Sequence, residues 1–270
     1  MMIKEIQAKS ILSKSQIYDY ALNAYVGCQH TCVYCYAKFM KRFTGHRELW
    51  GDFVDIKINA PELLAHEVKK KKIGRVWISG VCDAYQPVEE KYMITRKCIE
   101  ILVEHGWPCT IQTKSPLVVR DIEILKRSVD CEVGFTITTA DEKVMRIFEP
   151  GAPPIGKRIE ALAILHSAGI KTFVMVSRLL PGAEGLVDVL KGKVDPDEAP
   201  RRERQQAGQP HHRGRIGDGC DVGGTDQAAE QAVEGGDHLG PPGAVAACGA
   251  SVRRRPWWHA WASPIGWRRT

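Results

Sequence analysis

The chain has 270 residues, of which 44% are hydrophobic and 26% charged, and its formal net charge is +6. This length is enough for one domain of the size of an α/β barrel, and no apolar run approaches the roughly 18 residues of a membrane-spanning helix. The composition therefore excludes a membrane protein and is typical of a soluble protein of the cytoplasm.

Short apolar runs alternate with longer amphipathic runs through the first 195 residues, and this alternation is typical of βα units. A first strand at 22–27 precedes a helix at 61–72, which Asn59 caps and which carries Pro61 in its first turn. Four further strand and helix pairs follow. The predicted strands are 75–81, 109–113, 132–139 and 171–178, and the predicted helices are 88–105, 116–127, 155–168 and 183–190.

Five βα units with nearly continuous apolar strands predict a parallel sheet that curls into part of a TIM-type barrel. The fold class is therefore α/β, and functional side chains are expected at the carboxyl ends of the strands. A sixth strand would begin near Lys193, but Pro196 and the acidic stretch up to Pro200 stop it. We therefore expect an incomplete barrel.

Three closely spaced cysteines, Cys28, Cys32 and Cys35, follow the first predicted strand. A closed zinc site needs four ligands, and no fourth Cys or His follows at short spacing, since His30 lies inside the same loop. A disulfide framework is not expected, because the chain shows no signal peptide and is long and rich in lysine. Thiolates select zinc, copper(I) or iron–sulfur clusters, and a cubane held by three thiolates leaves one iron open. We favour the cluster and keep zinc as the alternative.

The spacing C-x3-C-x2-C followed by an aromatic residue resembles the cluster motif of the radical S-adenosylmethionine (radical SAM) enzymes. The resemblance extends over nearly all of residues 1–195. Within that superfamily the chain looks most like the spore photoproduct lyase branch and the lyase-like "DNA repair photolyase" proteins. The stretches that carry this likeness are AKSIL at 8–12, DAYQPVE at 83–89, TKS at 113–115, FEPGAPP at 148–154, Arg158, and AGI at 168–170.

The resemblance implies a [4Fe–4S] cluster held by Cys28, Cys32 and Cys35. The amino and carboxylate groups of S-adenosylmethionine would chelate the open iron of this cluster. Tyr36 would lie against the adenine of this cosubstrate through its backbone and ring. Lys114, at the end of the third predicted strand, would approach the methionine carboxylate, where a point charge suits an anion.

Four more residues match family positions near the cosubstrate. Thr136 and Thr138 would reach the ribose, and the alternative is simple packing of β-branched side chains in a strand. Asp83 and Arg158 are further candidates for contacts with the cluster or the cosubstrate, and a surface salt bridge is the competing interpretation.

Cys82 follows the second predicted strand, at or one position away from the place where spore photoproduct lyases carry a cysteine that donates a hydrogen atom. The resemblance therefore makes it a candidate catalytic residue. A buried cysteine that packs as a small hydrophobic residue is the alternative. Cys98, Cys109 and Cys131 fall on apolar faces of predicted elements and are expected in the core.

The implied activity is that of a lyase-like radical SAM enzyme of DNA repair. An electron from a small reductant protein, such as a flavodoxin or ferredoxin, would pass through the cluster and cleave S-adenosylmethionine. The 5′-deoxyadenosyl radical formed would then abstract hydrogen from the substrate. A thymine lesion in DNA would need a basic surface beside the extruded base, and none is evident in residues 1–195. DNA as substrate therefore rests on the resemblance.

The composition changes at residue 196. Residues 1–195 contain 19 Lys and 9 Arg, whereas residues 196–270 contain 10 Arg and no Lys. Those last 75 residues include 12 Gly and 7 Pro, but only 7 residues from Leu, Ile, Val and Phe together. That apolar fraction lies well below the roughly 20% under which a segment is not expected to build a core. We therefore predict a radical SAM core at 1–195 and a disordered tail at 196–270.

Two origins of the tail remain open, namely translation in a shifted reading frame and a natural low-complexity extension. A shifted frame would explain the abrupt loss of Lys, Tyr and Phe. In that case the alternative to an active enzyme is an inactive, truncated product. A second alternative is a zinc or iron–sulfur module that binds metal without catalysis.

Overall fold

The structure is a computed structural model, and it describes residues 1–176 and 178–191. The domain boundary, the interrupted sixth strand and the tail predicted from the sequence lie outside the described residues. The strands are β1 (Met2–Ile6), β2 (Leu12–Lys14), β3 (Tyr20–Leu22), β4 (Tyr25–Val26), β5 (Phe53–Lys57), β6 (Val76–Ile78), β7 (Cys109–Thr113), β8 (Cys131–Thr136) and β9 (Lys171–Met175). The α-helices are α1 (Ala60–Lys70), α2 (Val88–Tyr92), α3 (Ile94–Glu104), α4 (Ile122–Leu125), α5 (Glu142–Phe148), α6 (Ile155–Ser167) and α7 (Leu186–Leu190), with 3-10 helices at Tyr36–Phe43, Pro116–Asp121 and Ala183–Gly185.

The main sheet has the strand order β2-β3-β6-β7-β8-β9. Strands β3, β6, β7, β8 and β9 run parallel to one another, and β2 adds an antiparallel edge through its pairing with β3. All residues of β6 and β8 are buried, as expected for a parallel sheet that helices cover. The predicted α/β fold with five parallel strands is confirmed, and the antiparallel edge strand is an addition.

The first predicted strand, 22–27, is wrong as a single element. The chain leaves the main sheet after Leu22, which pairs with Ile78, and Tyr25 then pairs with Ile56 in a second sheet of order β1-β5-β4. Gly27 follows β4 and has a φ of +93°. A Cβ at this position would lie 2.2 Å from the carbonyl oxygen of Phe53. Only glycine fits this turn, which starts the cysteine loop.

The predicted helix at 88–105 is divided at Met93, whose φ of +52° interrupts the helical backbone. Glu89, in α2, accepts hydrogen bonds from the backbone N–H groups of Thr95 at 2.9 Å and Arg96 at 3.1 Å. Its carboxylate thus caps the start of α3, where backbone donors have no partner within the helix. A second helix therefore starts after Met93. The sequence did not reveal this start, because the apolar positions of residues 88–105 follow one continuous helical pattern.

Other elements also differ from the sequence predictions. The segment predicted as a helix at 116–127 begins as a 3-10 helix and becomes α-helical only at α4. Strands β1, β2 and β5 and helix α5 were not predicted. The first four residues of β1 are exposed, so its sequence lacks the alternation that marks a half-buried strand.

The core lies between the parallel sheet and the helices that pack on it. Its largest fully buried apolar side chains include Trp107, Phe135 and Leu22. Cys109 and Cys131 are buried in adjacent strands, with Sγ atoms 3.4 Å apart, and Cys98 is also buried. The prediction that these three cysteines belong to the core is confirmed. Among the described helices, none is long and apolar enough to cross a membrane.

Candidate functional site

The cysteine loop follows β4 and Gly27. Cys28 and Cys32 are buried, Cys35 is half-buried, and all three are free thiols. Two turns shape the loop, because the N–H of Thr31 donates to the Cys28 carbonyl and the N–H of Cys35 donates to the Cys32 carbonyl at 3.1 Å. The three cysteines predicted as metal ligands therefore belong to one compact loop.

The FEPG segment after α5 packs directly on this loop. The N–H of Val33 donates to the Phe148 carbonyl at 2.9 Å, and the N–H of Gly151 donates to the His30 carbonyl at 3.1 Å. A Cβ on Gly151 would lie 2.3 Å from the carbonyl oxygen of Gln29. A residue with a side chain would therefore push this segment away from the loop.

Asp83 connects the cysteine loop to the ends of β6 and β7. Its Oδ1 accepts hydrogen bonds from the Thr113 hydroxyl at 2.6 Å and the Tyr85 N–H at 2.9 Å. Its Oδ2 accepts from the Lys114 N–H at 2.8 Å and lies 3.1 Å from His30 Nε2. Burial by itself would raise the pKa of this carboxyl, but His30 and the hydrogen bonds lower it well below its ordinary value.

These contacts give Asp83 a positioning role within the protein. A contact between Asp83 and the cluster or the cosubstrate stays a prediction.

Gln86 and Gln29 attach the DAYQPVE segment to the loop backbone. Gln86 accepts from the Gln29 N–H at 3.0 Å and donates to the Gly27 carbonyl at 3.2 Å. In return, the Gln29 side chain accepts from the Val88 N–H at 2.7 Å. The loop is thus held by segments that are far apart in the sequence, which suits a rigid ligand set.

The donor set fits a cubane better than a zinc ion. Both ring nitrogens of His30 have partners, since Nδ1 lies 3.2 Å from the Gly151 carbonyl and Nε2 faces Asp83. Three thiolates without a free imidazole are one ligand short of a closed zinc site. A cubane binds one thiolate per iron, so its ligands need not converge on one point.

Burial dominates the electrostatics of the two buried thiols. Burial raises the pKa of the Cys28 thiol well above its usual value, and burial raises that of Cys32 while Lys114 partly offsets the rise. Bare thiolates are therefore costly here, and bound metal would stabilise them.

Lys114 lies beside the cysteine loop. Its Nζ is 5.8 Å from the centroid of the Tyr34 ring. Burial would lower the pKa of this ammonium, but its electrostatic interactions with Cys32, Tyr34 and Glu149 raise that pKa above the ordinary lysine value. Lys114 is therefore a cation beside Cys32, and its contact with the cosubstrate carboxylate stays a prediction.

Glu149, to which the sequence analysis assigned no role, organises this cationic region. It is fully buried and accepts hydrogen bonds from the Tyr34 hydroxyl and, at 3.0 Å, from the Thr138 hydroxyl. It also forms an ion pair with Arg158. Burial favours a raised pKa for Glu149, but Lys114 and Arg158 outweigh burial and lower it.

Glu149 could have been suspected from the sequence, because an acidic residue between Phe148 and a Pro-Gly pair needs a partner if its segment is buried.

Arg158 is completely buried, so the surface salt bridge considered from the sequence is wrong for this residue. Its Nε donates to the Pro153 carbonyl at 2.8 Å and its Nη1 to the Thr136 carbonyl at 3.1 Å. Thr136 and Thr138 are also buried, and their hydroxyls are hydrogen-bonded to Gln112 at 3.2 Å and to Glu149, respectively. They therefore do more than pack in a strand, and ribose contacts stay a prediction.

Tyr36 and Cys82 meet near the end of β6. Tyr36 is 46% exposed, and its hydroxyl donates to the Gly80 carbonyl. The Sγ of Cys82 lies 3.8 Å from the Ser79 hydroxyl and 4.0 Å from Asn23 Oδ1. Burial raises the pKa of the Cys82 thiol to about 11, so this cysteine carries its hydrogen at neutral pH.

Comparisons with known proteins identify the family of this chain. A family model described as the radical SAM superfamily matches residues 22–185. An uncharacterized protein of Methanocaldococcus jannaschii is 36% identical over 190 residues, which are 69% of this chain and 70% of that one.

Among solved structures, a spore photoproduct lyase complexed with dinucleoside spore photoproduct matches with a TM-score of 0.57 at 18% identity. The match covers 70% of this chain and 58% of that one. A variant of the lyase with bound AdoMet and the same dinucleoside also gives a TM-score of 0.57 at 18% identity, over 70% of this chain and 57% of that one. At this identity the likeness shows the fold, and this chain spans little more than half of those lyases.

Proposed function

Because the chain belongs to the radical SAM superfamily, we propose that it is a lyase-like enzyme that acts on a damaged pyrimidine nucleotide, such as a thymine lesion in DNA. The residues present fit a [4Fe–4S] cluster on Cys28, Cys32 and Cys35 with S-adenosylmethionine bound beside it. When bound, these groups supply the one-electron cleavage that yields a 5′-deoxyadenosyl radical. The observation that carries the proposal is the position of Lys114 beside a loop of three free cysteines, two of which are buried.

Lys114 binds the carboxylate of the cosubstrate in this proposal. Its Nζ lies 5.8 Å from the centroid of the Tyr34 ring in the cysteine loop, so little reorganisation is needed when the anion arrives. Arg158 neutralises Glu149, which leaves the charge of Lys114 available for the cosubstrate.

The loop contacts keep the three thiols in place. Asp83, Gln86 and Gly151 hold the loop from two different segments. Two of the three thiols are buried, so their surroundings exclude bulk water, which protects reactive species formed nearby.

The nucleotide substrate is supported by the fold and by the residues at the end of β6. The matching solved structures include spore photoproduct lyases, and three of these structures contain a dinucleoside photoproduct. Cys82 keeps a hydrogen on Sγ, and Tyr36 reaches the same strand end from the cysteine loop. In the proposed reaction, Cys82 gives a hydrogen atom to the substrate radical after the lesion is cleaved, and the thiyl radical left on its Sγ takes up one electron from the reductant and one proton to restore the thiol. A flavodoxin or ferredoxin is the proposed electron donor.

The test is anaerobic reconstitution with iron and sulfide, followed by dithionite, S-adenosylmethionine and a dinucleoside photoproduct. We expect about four iron and four sulfide per chain, and chromatography should show 5′-deoxyadenosine and the repaired dinucleoside. A cluster without 5′-deoxyadenosine would indicate a metal-binding module without catalysis. Formation of 5′-deoxyadenosine with an unchanged photoproduct would overturn the proposed substrate and leave the radical chemistry intact.

A further inference from the structure

A strongly basic surface follows the cysteine loop directly. The 3-10 helix Tyr36–Phe43 begins after Cys35, which is its N-cap residue. We call this helix and the residues that flank it the basic face. Its cations are Lys38, Lys41, Arg42 and Arg47, and its exposed apolar side chains are Val33, Phe43 and Leu49. No basic surface was evident in the sequence, because these cations are spread over ten positions without forming a run.

The cations of the basic face lack acidic partners within the described ranges. Lys38 Nζ donates to the Val33 carbonyl at 2.8 Å, and Lys41 Nζ donates to the Arg47 carbonyl at 3.0 Å. Arg42 lies over the rings of Phe43 and Phe39, at 4.7 and 5.5 Å from their centroids. The positive charges are therefore placed by carbonyls and rings, which leaves them uncompensated.

The nearby carboxylates are engaged by one histidine. His46 Nδ1 lies 3.1 Å from Glu48 Oε2, and its Nε2 lies 2.9 Å from Asp55 Oδ1. The ring of His46 also stacks on Phe53 at 3.9 Å. A cleft of about 480 Å³ opens beside it and is lined by Lys38, Phe39, Lys41, Arg42, Gly45 and His46.

From this geometry we infer that the basic face is the docking surface for an acidic one-electron carrier protein. The inference rests on the proposed function, since only a chain that holds a redox cluster needs such a partner. On docking, one electron passes from a reduced flavin or iron–sulfur group of the carrier to the cluster, so the carrier is oxidised and the cluster reduced by one electron.

The position of the basic face favours this partner. Lys38 is bonded to the carbonyl of Val33, which lies between Cys32 and Cys35, so the cations are attached to the loop that carries the ligands. Cys35 is the least buried of the three cysteines, and Val33 beside it is 49% exposed. A carrier bound here would therefore meet the cluster loop at its most accessible side.

The anatomy of the basic face is that of a protein interface. Exposed apolar side chains, with Leu49 at 71% and Phe43 at 54% exposure, lie among four cations, and the neighbouring Glu48 carboxylate is paired with His46. A strand of nucleic acid would need open aromatic faces for its bases. Here the Arg42 guanidinium covers Phe43, and Phe39 contacts the same ring edge-on at 6.5 Å between centroids.

The decisive variant is Lys41→Glu/Arg42→Glu, measured with a purified flavodoxin of net negative charge. Its matched control is Lys97→Glu/Lys157→Glu, which changes the net charge equally at exposed positions on α3 and α6. Association with flavodoxin is measured by surface plasmon resonance before and after cluster reconstitution, and cluster reduction is followed by stopped-flow absorbance. Arg47→Glu serves as a second variant. Within the described residues the Arg47 side chain makes no hydrogen bond, so this substitution changes the charge without removing a structural contact.

We expect flavodoxin association and flavodoxin-driven reduction to be at least about 10-fold slower in the Lys41→Glu/Arg42→Glu variant than in wild type and the control. Added salt should remove most of that difference. Reduction by dithionite should be equal in all variants. A variant that docks as well as wild type would overturn the inference, and so would a selective loss of binding to a single-stranded oligonucleotide. Failure of dithionite to reduce any form would instead count against the proposed function, while the association data still test the surface.

Discussion

Asp83 accepts a 2.8 Å hydrogen bond from the backbone N–H of Lys114. This bond connects the segment after β6 to the end of β7, where Lys114, the residue proposed to bind the cosubstrate carboxylate, follows the strand. The same carboxylate faces His30 in the cysteine loop. One buried acid therefore sets the position of Lys114 relative to the metal-binding loop.

Asp83→Asn should destabilise the fold by about 3 kcal/mol at pH 7. The substitution removes a buried negative charge that accepts several hydrogen bonds, and it places the amide NH2 group of Asn against some of the same donors. The pKa of Asp83 is lowered in the folded state. Its contribution is complete above the unfolded pKa of about 3.9 and is lost as the pH falls through the folded-state pKa. The gap in unfolding free energy between wild type and variant should therefore narrow below about pH 4 in urea titrations.

Glu123→Gln is the control for that measurement. Glu123 is 84% exposed and pairs with Lys126 on the surface, where an ion pair contributes little. Equal stability of Asp83→Asn and wild type at pH 7 would contradict the role of Asp83 as the link between β6, β7 and the loop.

Gly151→Ala should weaken cluster incorporation, since its Cβ would lie 2.3 Å from the Gln29 carbonyl and displace the FEPG segment. We expect a loss of about 1–3 kcal/mol in stability, as for other overpacked sites. Gly156→Ala, in the first turn of α6, meets nothing within 4 Å and should be neutral or slightly stabilising. Iron content after reconstitution and thermal unfolding distinguish the two variants. Equal iron content in both would show that the FEPG segment does not hold the loop.

The cysteine loop and the position of Lys114 at the end of a strand could be predicted because each depends on local sequence. The cysteine spacing lies within eight residues, and Lys114 follows directly on a strongly apolar strand whose bounds were predicted correctly. Glu149 was missed because its partners Lys114, Thr138 and Tyr34 come from three other segments. Such contacts form only when the sheet brings these segments together, and the spacing of apolar residues in the sequence does not predict them.

The same reasoning explains the errors in the fold. A strand of two residues such as β4 is too short to show alternation, so its transfer to the second sheet was not visible in the sequence. The break at Met93 depends on the Glu89 carboxylate reaching the first turn of α3. Both features are tertiary effects that override local propensity.

Cys32→Ala should abolish the cluster, because two remaining thiolates do not hold a cubane. Cys98→Ala and Cys109→Ala should retain it, since both side chains lie in the core among apolar residues. Iron and sulfide analysis together with the absorbance of the reconstituted protein provide the measurement. An unchanged iron content in Cys32→Ala would remove the basis for radical SAM chemistry in this chain.

Lys114→Ala should keep the cluster and weaken S-adenosylmethionine binding by roughly 10- to 150-fold, because a charged hydrogen bond contributes about 1.5–3 kcal/mol. Equilibrium binding to the reconstituted protein measures this loss. Lys126→Ala, a lysine in a surface ion pair, is the matched control. Equal affinities in the two variants would place the cosubstrate carboxylate elsewhere.

Residues beyond about 195 should be removable without loss of the site. They hold 7 large aliphatic or Phe residues in 75 positions, too few to offset ordering costs of about 1–2 kcal/mol per residue. Limited proteolysis should therefore yield a fragment ending near residue 195 that binds as much iron as the whole chain. Protection of the C-terminal residues would show that composition misled the prediction. Reading the coding DNA around codons 190–200 in all three frames then separates a frame shift, which would continue a lysine- and leucine-containing strand in another frame, from a natural extension.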